Sequence, residues 1–158
     1  AGFAIKADGD IVSVFNHKKS KYRGISPTMM LLAVQEGGKK LDAFDVVLPR
    51  FYSEAGFKVS SRLPWSDAEA PAGWSKKAAN AFNKGEPDVV FMHYDPDVNT
   101  TKVLLFGPEK YDPTDKLRQS QMATDYGDAL NRQSKAMNIR TDAQKVQAKT
   151  DAQAILAN

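Results

Sequence analysis

Residues 21–26, Lys-Tyr-Arg-Gly-Ile-Ser, place two cationic side chains and a glycine directly before an apolar helical pattern. The serine and the proline after it are a helix N-cap signal with proline at the first helical position. The first turn of a helix carries unpaired backbone N–H groups and a partial positive charge, both of which attract phosphate groups. Gly24 would let the backbone approach an anion closely, and Lys21 and Arg23 would add positive charge. These residues predict an anion site, with a capped surface helix as the simpler alternative.

Residues 51–57, Phe-Tyr-Ser-Glu-Ala-Gly-Phe, contain a second group that can take part in proton transfer. Tyr52 would lie on the last turns of a helix that Gly56 ends, and Phe57 would open the next strand. A positioned tyrosine hydroxyl can act as a general acid. A Phe–Tyr pair at this place also suits the core, where the hydroxyl needs a hydrogen-bond partner. Catalysis and packing therefore both stay open for Tyr52.

Other catalytic classes find less support in the residue types. The absence of cysteine excludes disulfides, thiolate nucleophiles and cysteine-based zinc sites. The two histidines lie far apart and no spacing of acidic residues completes a metal site, so we expect no metal. No Gly-x-Ser-x-Gly pattern supports a serine hydrolase. Two histidines are candidates for a general base, but each has a simpler explanation. His17 is more simply a surface residue, and His93 is more simply a packed residue, because it shares a strand face with Val89 and Phe91.

The elements that would position these groups follow an α/β order. A hairpin, a helix, a strand, a second helix and a strand lead into a long excursion rich in proline and glycine, and two strands follow it. The predicted elements are strands 3–6 and 11–15, helix 27–36, strand 39–45, a helix from Leu48, strand 57–63, a short helix at 76–82, and strands 88–95 and 101–107.

The composition changes at residue 114. From there on the chain has no proline, one glycine and one aromatic residue, with many alanines and glutamines that favour a helix. The apolar stripe of this helix is thin, since Tyr126, Leu130 and Met137 share a face and little follows them. We therefore expect an α/β domain at residues 1–113 and a helical tail at residues 114–158. The tail is expected to pack on a protein partner or on a second copy of the chain.

Length and charge limit the remaining classes. A chain of 158 residues with 42% hydrophobic residues supports one domain with an appendage. The net charge of +3 is too small to predict a nucleic-acid partner, and the basic residues form no stripe with interleaved aromatics. No apolar run approaches the about 20 residues that cross a bilayer, so no membrane partner is expected.

The order of these elements resembles that of the GNAT acyltransferase superfamily. The order is a strand, a basic-x-basic-Gly-Ile-small turn, a helix, a strand, a helix with Phe-Tyr-x-x-x-Gly-Phe, and a further strand. The resemblance covers residues 3–94 and implies a mixed sheet flanked by helices, with the family's first strands and helices missing ahead of Ala1. In that family the loop pattern Arg/Gln-x-x-Gly-x-Gly/Ala binds the pyrophosphate of acetyl-CoA. The residues in the matching positions are Lys21, Tyr22, Arg23, Gly24, Ile25 and Ser26, of which Lys21 and Ser26 depart from the pattern.

A later family pattern, Asn-x-x-Ala-x-x-Leu/Phe-Tyr-x-x-x-Gly-Phe, falls on residues 45–57, with Asp45 in place of the asparagine. The resemblance implies that Tyr52 is the general acid toward the leaving CoA thiolate. It also implies that the excursion with Trp65 and Trp74 lies near the acceptor site. The simpler expectation is that both tryptophans pin the excursion against the core.

Residues 48–92, with Leu-Pro-Arg-Phe-Tyr at one end and Pro-Asp-Val-Val-Phe-Met at the other, are also similar to GNAT-like domains of large phage and mobile-element proteins. That likeness implies a place in the cytoplasm or within a phage particle. Two functions follow as expectations. One is an N-acyltransferase with acetyl-CoA as cofactor, and the other is a catalytically inactive structural or interaction module of a phage particle or larger phage protein.

Overall fold

A computed structural model describes residues 1–16, 19–21, 24, 26–95, 97 and 112–157, with only the backbone described at 26, 139–149 and 151. The described part is a mixed α/β structure with two small antiparallel sheets. The predicted strand at 101–107 lies outside the described residues. The helix that ends the chain is long, but neither it nor any other described helix has the apolar run that a membrane span requires.

The amino-terminal hairpin pairs β1 (Gly2–Ile5) with β2 (Ile11–Phe15) in antiparallel register, as the sequence predicts. Gly9 in its turn has a φ of 85°, a left-handed conformation that glycine adopts without strain. The carbonyl oxygen of Gly9 accepts a hydrogen bond from the Lys39 N–H at 2.8 Å. The hairpin turn is thereby tied to the start of the next strand.

The second sheet has three strands, β3 (Lys40–Phe44), β4 (Phe57–Leu63) and β5 (Val89–Tyr94). Their spatial order is β3-β5-β4, and both pairs are antiparallel. In the described part of the chain, β2 and β3 meet at one parallel bridge between Asp10 and Lys40. Beyond that bridge no strand pairing joins β2 and β3 in the described residues, and the two strands belong to different sheets.

Helices α1 (Ser26–Gln35) and α2 (Leu48–Glu54) pack on one face of the sheets and close the main core. Helix α1 ends as predicted, because Gly37 adopts a φ of 100° and the Gly38 N–H donates to the Ala33 carbonyl oxygen at 2.8 Å. Helix α2 carries a proline in its first turn, where a helix tolerates proline. The buried members of this core are Ile11, Met30, Ala33, Leu41, Tyr52, Ala55, Phe57, Val90 and Met92.

Helices α3 (Lys116–Gln121) and α4 (Tyr126–Ala157) lie toward the opposite face of the three-stranded sheet. Phe91 points to this side and is buried with Ala123 and Ala129. The Ser61 hydroxyl donates to the Ala129 carbonyl oxygen at 2.9 Å. The Gln133 amide, 2% exposed, donates to the carbonyl oxygens of two neighbouring strands at 3.1 and 2.8 Å.

The first part of the carboxyl-terminal segment is therefore part of the fold. Sequence analysis expected its thin apolar stripe to need a partner, but small residues and polar side chains make the contact instead. Tyr126 is 54% exposed and touches Phe91 edge-on with ring centroids 5.6 Å apart. The end of α4 differs, since Ile155 and Leu156 are 75% and 86% exposed.

The excursion between β4 and β5 forms turns where a helix at 76–82 was expected. The Ala79 N–H donates to the Ser75 carbonyl oxygen and the Phe82 N–H to the Ala79 carbonyl oxygen, without a continuous helix. A Cβ on Gly85 would lie 2.4 Å from the Lys76 backbone, so these two backbones are in close contact. Tertiary contact of this kind overrides helix propensity in a short segment.

Four charged side chains meet in the interior, and we call them the buried charge cluster: Asp45, Arg62, Asp88 and Arg118. The Arg62 guanidinium lies 2.6 Å from the Asp45 carboxylate and 3.5 Å from that of Asp88. Arg118 donates to both carboxylate oxygens of Asp88, at 2.8 and 2.7 Å. Arg62 is fully buried and Asp88 is 2% exposed. The cluster joins the sheet to α3.

Replacing Arg118 by methionine should destabilise the protein by about 3–5 kcal/mol, because the Asp88 carboxylate loses its two-point partner in the interior. Arg132→Met is the matched control, since Arg132 pairs with Asp128 near the surface, where its side chain is 38% exposed. Chemical denaturation of both variants measures the difference. Equal losses in the two variants would contradict a structural role for the buried charge cluster.

Candidate functional site

The turn before α1 is open at its glycine. Gly24 has a φ of 66°, and no heavy atom of a described residue, its chain neighbours apart, lies within 4 Å of the place that a Cβ would occupy. Lys21 is exposed, and Ser26 begins α1. The other predicted cofactor-binding residues, Tyr22, Arg23 and Ile25, lie outside the described residues. Among the described residues, none outside the turn occupies the space beside Gly24.

The position of the turn in the fold also suits an anion. The turn follows the carboxyl end of β2, which is not paired with β3 there, and it leads into the amino end of α1. The first turn of α1 contains no acidic residue that would compete for its partial positive charge. In open α/β sheets, ligands bind outside the carboxyl ends of the strands where neighbouring connections part.

Tyr52 combines a buried ring with a hydroxyl that reaches solvent. The residue is 5% exposed and lies in the main core with Met30 of α1. Its hydroxyl makes no hydrogen bond within the described part of the chain, yet it is not one of the fully buried polar atoms there. Burial raises the pKa of Tyr52 above its ordinary value of 10.0. The hydroxyl is therefore neutral at pH 7 and can donate a proton.

Asp45 directs its charge into the protein. Its carboxylate is 2.6 Å from the Arg62 guanidinium, and the residue is 5% exposed. A charged side chain in this position therefore adds little negative potential to the surface around the turn. Sequence analysis named Asp45 only through a family pattern and did not identify Arg62, Asp88 or Arg118. The one signal available was a charged residue inside or next to an apolar strand pattern.

Of the two histidines, the structure describes only His93. His17 lies outside the described residues. His93 is 8% exposed, and its Nδ1 is 2.6 Å from the Ser60 hydroxyl. The expectation of a packed histidine on β5 agrees with this position. No group of three or more histidine and acidic residues with metal-binding geometry occurs in the described part of the chain.

A cavity of about 290 Å³ lies at the opposite end of the sheet, between α1, the end of α2 and the start of β4. Acidic residues dominate the charges around it, with Glu54, Asp95 and Asp97 against Lys58. Lys58 is itself 3.7 Å from the Asp95 carboxylate and donates to the Asp97 carbonyl oxygen. The carboxylates around this cavity would repel the negative charges of a pyrophosphate, so the cavity does not suit that ligand.

The two tryptophans pin the excursion to the end of β3, as expected. The rings of Phe44, Trp65 and Trp74 form a triangle with centroids 5.5, 5.1 and 5.1 Å apart. The indole N–H of Trp74 donates to the Gly85 carbonyl oxygen at 2.9 Å. We call these three rings the aromatic cluster.

Comparisons with known proteins give no match: no family model fits the chain, and no curated sequence or solved structure resembles it significantly. Function must therefore be inferred from the residues and their geometry, since a fold class alone does not specify an activity.

Tyr52→Phe should change the free energy of unfolding at pH 7 by less than about 1 kcal/mol, because the hydroxyl has no hydrogen bond to lose within the described chain. Above pH 10 the two proteins should differ. The unfolded tyrosine ionises near 10.0 while burial holds the proton on the folded one, so wild-type stability should fall as pH rises past that value. The variant lacks this contribution. Denaturation curves from pH 7 to alkaline pH test this, and parallel pH profiles would contradict it.

Proposed function

We propose that this chain is a GNAT-like domain that binds acetyl-CoA and transfers its acyl group to an amine. The observation that carries the proposal is the order of elements around the turn: β2 and β3 pair only at the Asp10–Lys40 bridge among the described residues, and the glycine turn leads from the carboxyl end of β2 into α1. This arrangement agrees with the element order that the sequence resemblance implies.

The pyrophosphate would bind at residues Lys21 to Ser26. Gly24 keeps the backbone open, the amino end of α1 supplies N–H donors, and Lys21 adds a positive charge near them. Phosphate oxygens are acceptors only, so donors and positive charge are the chemistry that they require. This supports a phosphate ligand over a neutral one.

The edges of β2 and β3 beyond the Asp10–Lys40 bridge would bind the remainder of the cofactor. Backbone groups on strand edges that are not paired with each other need other hydrogen-bond partners. An extended molecule that carries amides can supply them, as a peptide does when it adds to a sheet edge. The acyl arm of CoA is such a molecule.

In the reaction, the amine attacks the thioester carbonyl carbon, a C–N bond forms, and the C–S bond breaks. The leaving sulfur takes a proton from the Tyr52 hydroxyl, which is the proposed donor, and the proton that the amine nitrogen loses passes through solvent to the resulting tyrosinate. Its raised pKa keeps it protonated at pH 7, and its contact with solvent leaves it accessible. We assign no general base, because His93 is engaged with Ser60.

A second candidate function is a catalytically inactive interaction module, such as a phage particle or a larger phage protein would contain. The observation that favours it is the exposed apolar end of α4 at Ile155 and Leu156. A protein partner or a second copy of the chain could cover these side chains through residues 114–158. This function needs no acetyl-CoA.

Calorimetric titration with acetyl-CoA should show binding to the unaltered protein and none to Gly24→Glu. The glutamate blocks the approach to the backbone and repels the phosphates. Gly73→Glu is the matched control, because Gly73 has a similar φ of 76° and equally open surroundings in the excursion. It should bind like the wild type. If the wild-type protein shows no binding at millimolar ligand, the interaction-module candidate is favoured instead.

Tyr52→Phe should lower acetyl transfer to a model amine by about 10²-fold or more while acetyl-CoA binding is kept, since loss of a general acid affects the chemical step. Turnover is measured by release of the free CoA thiol. Equal turnover in both proteins would remove Tyr52 from the mechanism.

A further inference from the structure

The excursion holds a cationic side chain in a defined environment. The Lys76 ammonium lies 2.6 Å from the Asp67 carboxylate and 2.7 Å from the Glu86 carboxylate. It also lies over the Trp65 ring, 5.9 Å from the ring centroid. Two carboxylates and an aromatic face are the groups that recognise an organic cation.

Contacts that do not involve the Lys76 side chain hold this environment in place. The Trp65 indole N–H donates at 2.9 Å to the same Asp67 oxygen that binds Lys76. Trp65 is fixed by the aromatic cluster, and the Asn83 side chain donates to the Glu86 carbonyl oxygen at 2.7 Å. The Trp65 ring, the Asp67 carboxylate and the Glu86 backbone therefore have contacts that do not depend on the Lys76 side chain.

The backbone of Lys76 is closely packed, whereas its side chain is accessible to solvent. Its backbone is in close contact with Gly85. Its side chain is 43% exposed, and the Asp67 side chain beside it is 73% exposed. An ammonium ion from solution can therefore reach the carboxylates, and the lysine side chain can swing away without moving the backbone.

We propose that Trp65, Asp67 and Glu86 form a binding site for a primary alkylammonium group, and that the chain's own Lys76 occupies this site in the present structure. The ligand is an aliphatic amine or the side chain of a lysine in another polypeptide. The site does not depend on acetyl-CoA, so a test of the acyltransferase proposal does not decide whether this site exists.

The charge state of the groups agrees with this assignment. Hydrogen bonds to Asp67 and Glu86 raise the pKa of Lys76 above 10.5. Hydrogen bonds from Lys76 and Trp65 lower the pKa of Asp67 below 3.8. Ammonium and carboxylate are both charged throughout the neutral range, which a site for a cation requires.

The decisive experiment removes the resident lysine and replaces it from solution. Lys76→Ala deletes the side chain beyond Cβ, and n-propylammonium has the same atoms. Trp65 and Trp74 are the only two tryptophans in the chain, and both belong to the aromatic cluster beside the site, so intrinsic tryptophan emission reports on this part of the structure. In the variant, n-propylammonium should change the emission saturably, with a midpoint about tenfold lower than that of neutral 1-propanol.

Controls separate the site from a general effect of amines. Lys77→Ala removes the neighbouring exposed lysine and leaves Lys76 in place, so n-propylammonium should act as it does on the wild type, where the midpoint is about tenfold higher because Lys76 competes. Adding Asp67→Asn or Glu86→Gln to Lys76→Ala should weaken the response several-fold. A capped lysine, Nα-acetyl-lysine methylamide, tests the polypeptide source, and a lower midpoint than that of n-propylammonium would favour it.

The proposal is overturned if Lys76→Ala responds equally to n-propylammonium and 1-propanol, or if the carboxylate variants respond like their parent. Should Lys76→Ala fail to fold, the wild-type protein decides the matter. A saturable response to the capped lysine that 1-propanol does not reproduce supports the site. No such response would show that Lys76 serves only to clamp the excursion.

Discussion

The interior pairing of two aspartates with two arginines is the constraint on which the rest of the structure depends. Asp88 opens β5, accepts from Arg118 of α3 and lies near Arg62 of β4, which also binds Asp45 at the end of β3. Charges lose several kcal/mol of hydration when they are buried, and only complete pairing offsets that cost. Three strands and a helix contribute to this pairing, so a buried ion pair ties α3 to the sheet.

The same arrangement gives the two ends of the sheet different electrostatic character. At the carboxyl ends of β2 and β3, Asp45 and Asp88 pair with arginines in the interior, and Lys21 is exposed beyond β2. At the other end, carboxylates surround the cavity beside Lys58. The second end therefore repels an anion more strongly than the first, although the net charge of +3 gives no hint of this division.

Local signals were sufficient to predict most elements and insufficient for the contacts among them. The glycines that end α1 and α2 and the turn at Gly9 act on their own neighbours, so the sequence predicts them well. Arg118 and Asp88 are 30 positions apart, and Gln133 reaches a carbonyl 92 positions away. Such pairs leave no periodic pattern. For the same reason the sequence pattern does not predict how α4 packs. Helix α4 contacts the sheet through a small buried residue, Ala129, and not through a stripe of large apolar side chains.

Tyr52 shows why packing and catalysis are not exclusive readings of one residue. Its ring is fixed by the core, and this fixes the direction of the hydroxyl with little loss of entropy when a ligand binds. The hydroxyl has no hydrogen-bond partner within the described chain, so a ligand sulfur or oxygen placed there would gain a bond without displacing a protein group. Burial raises its pKa, so the hydroxyl is protonated at neutral pH and holds its proton more tightly than a free tyrosine does. The core thus fixes a protonated hydroxyl in one direction, and a ligand placed at that hydroxyl is what would make Tyr52 an acid as well as a packing residue.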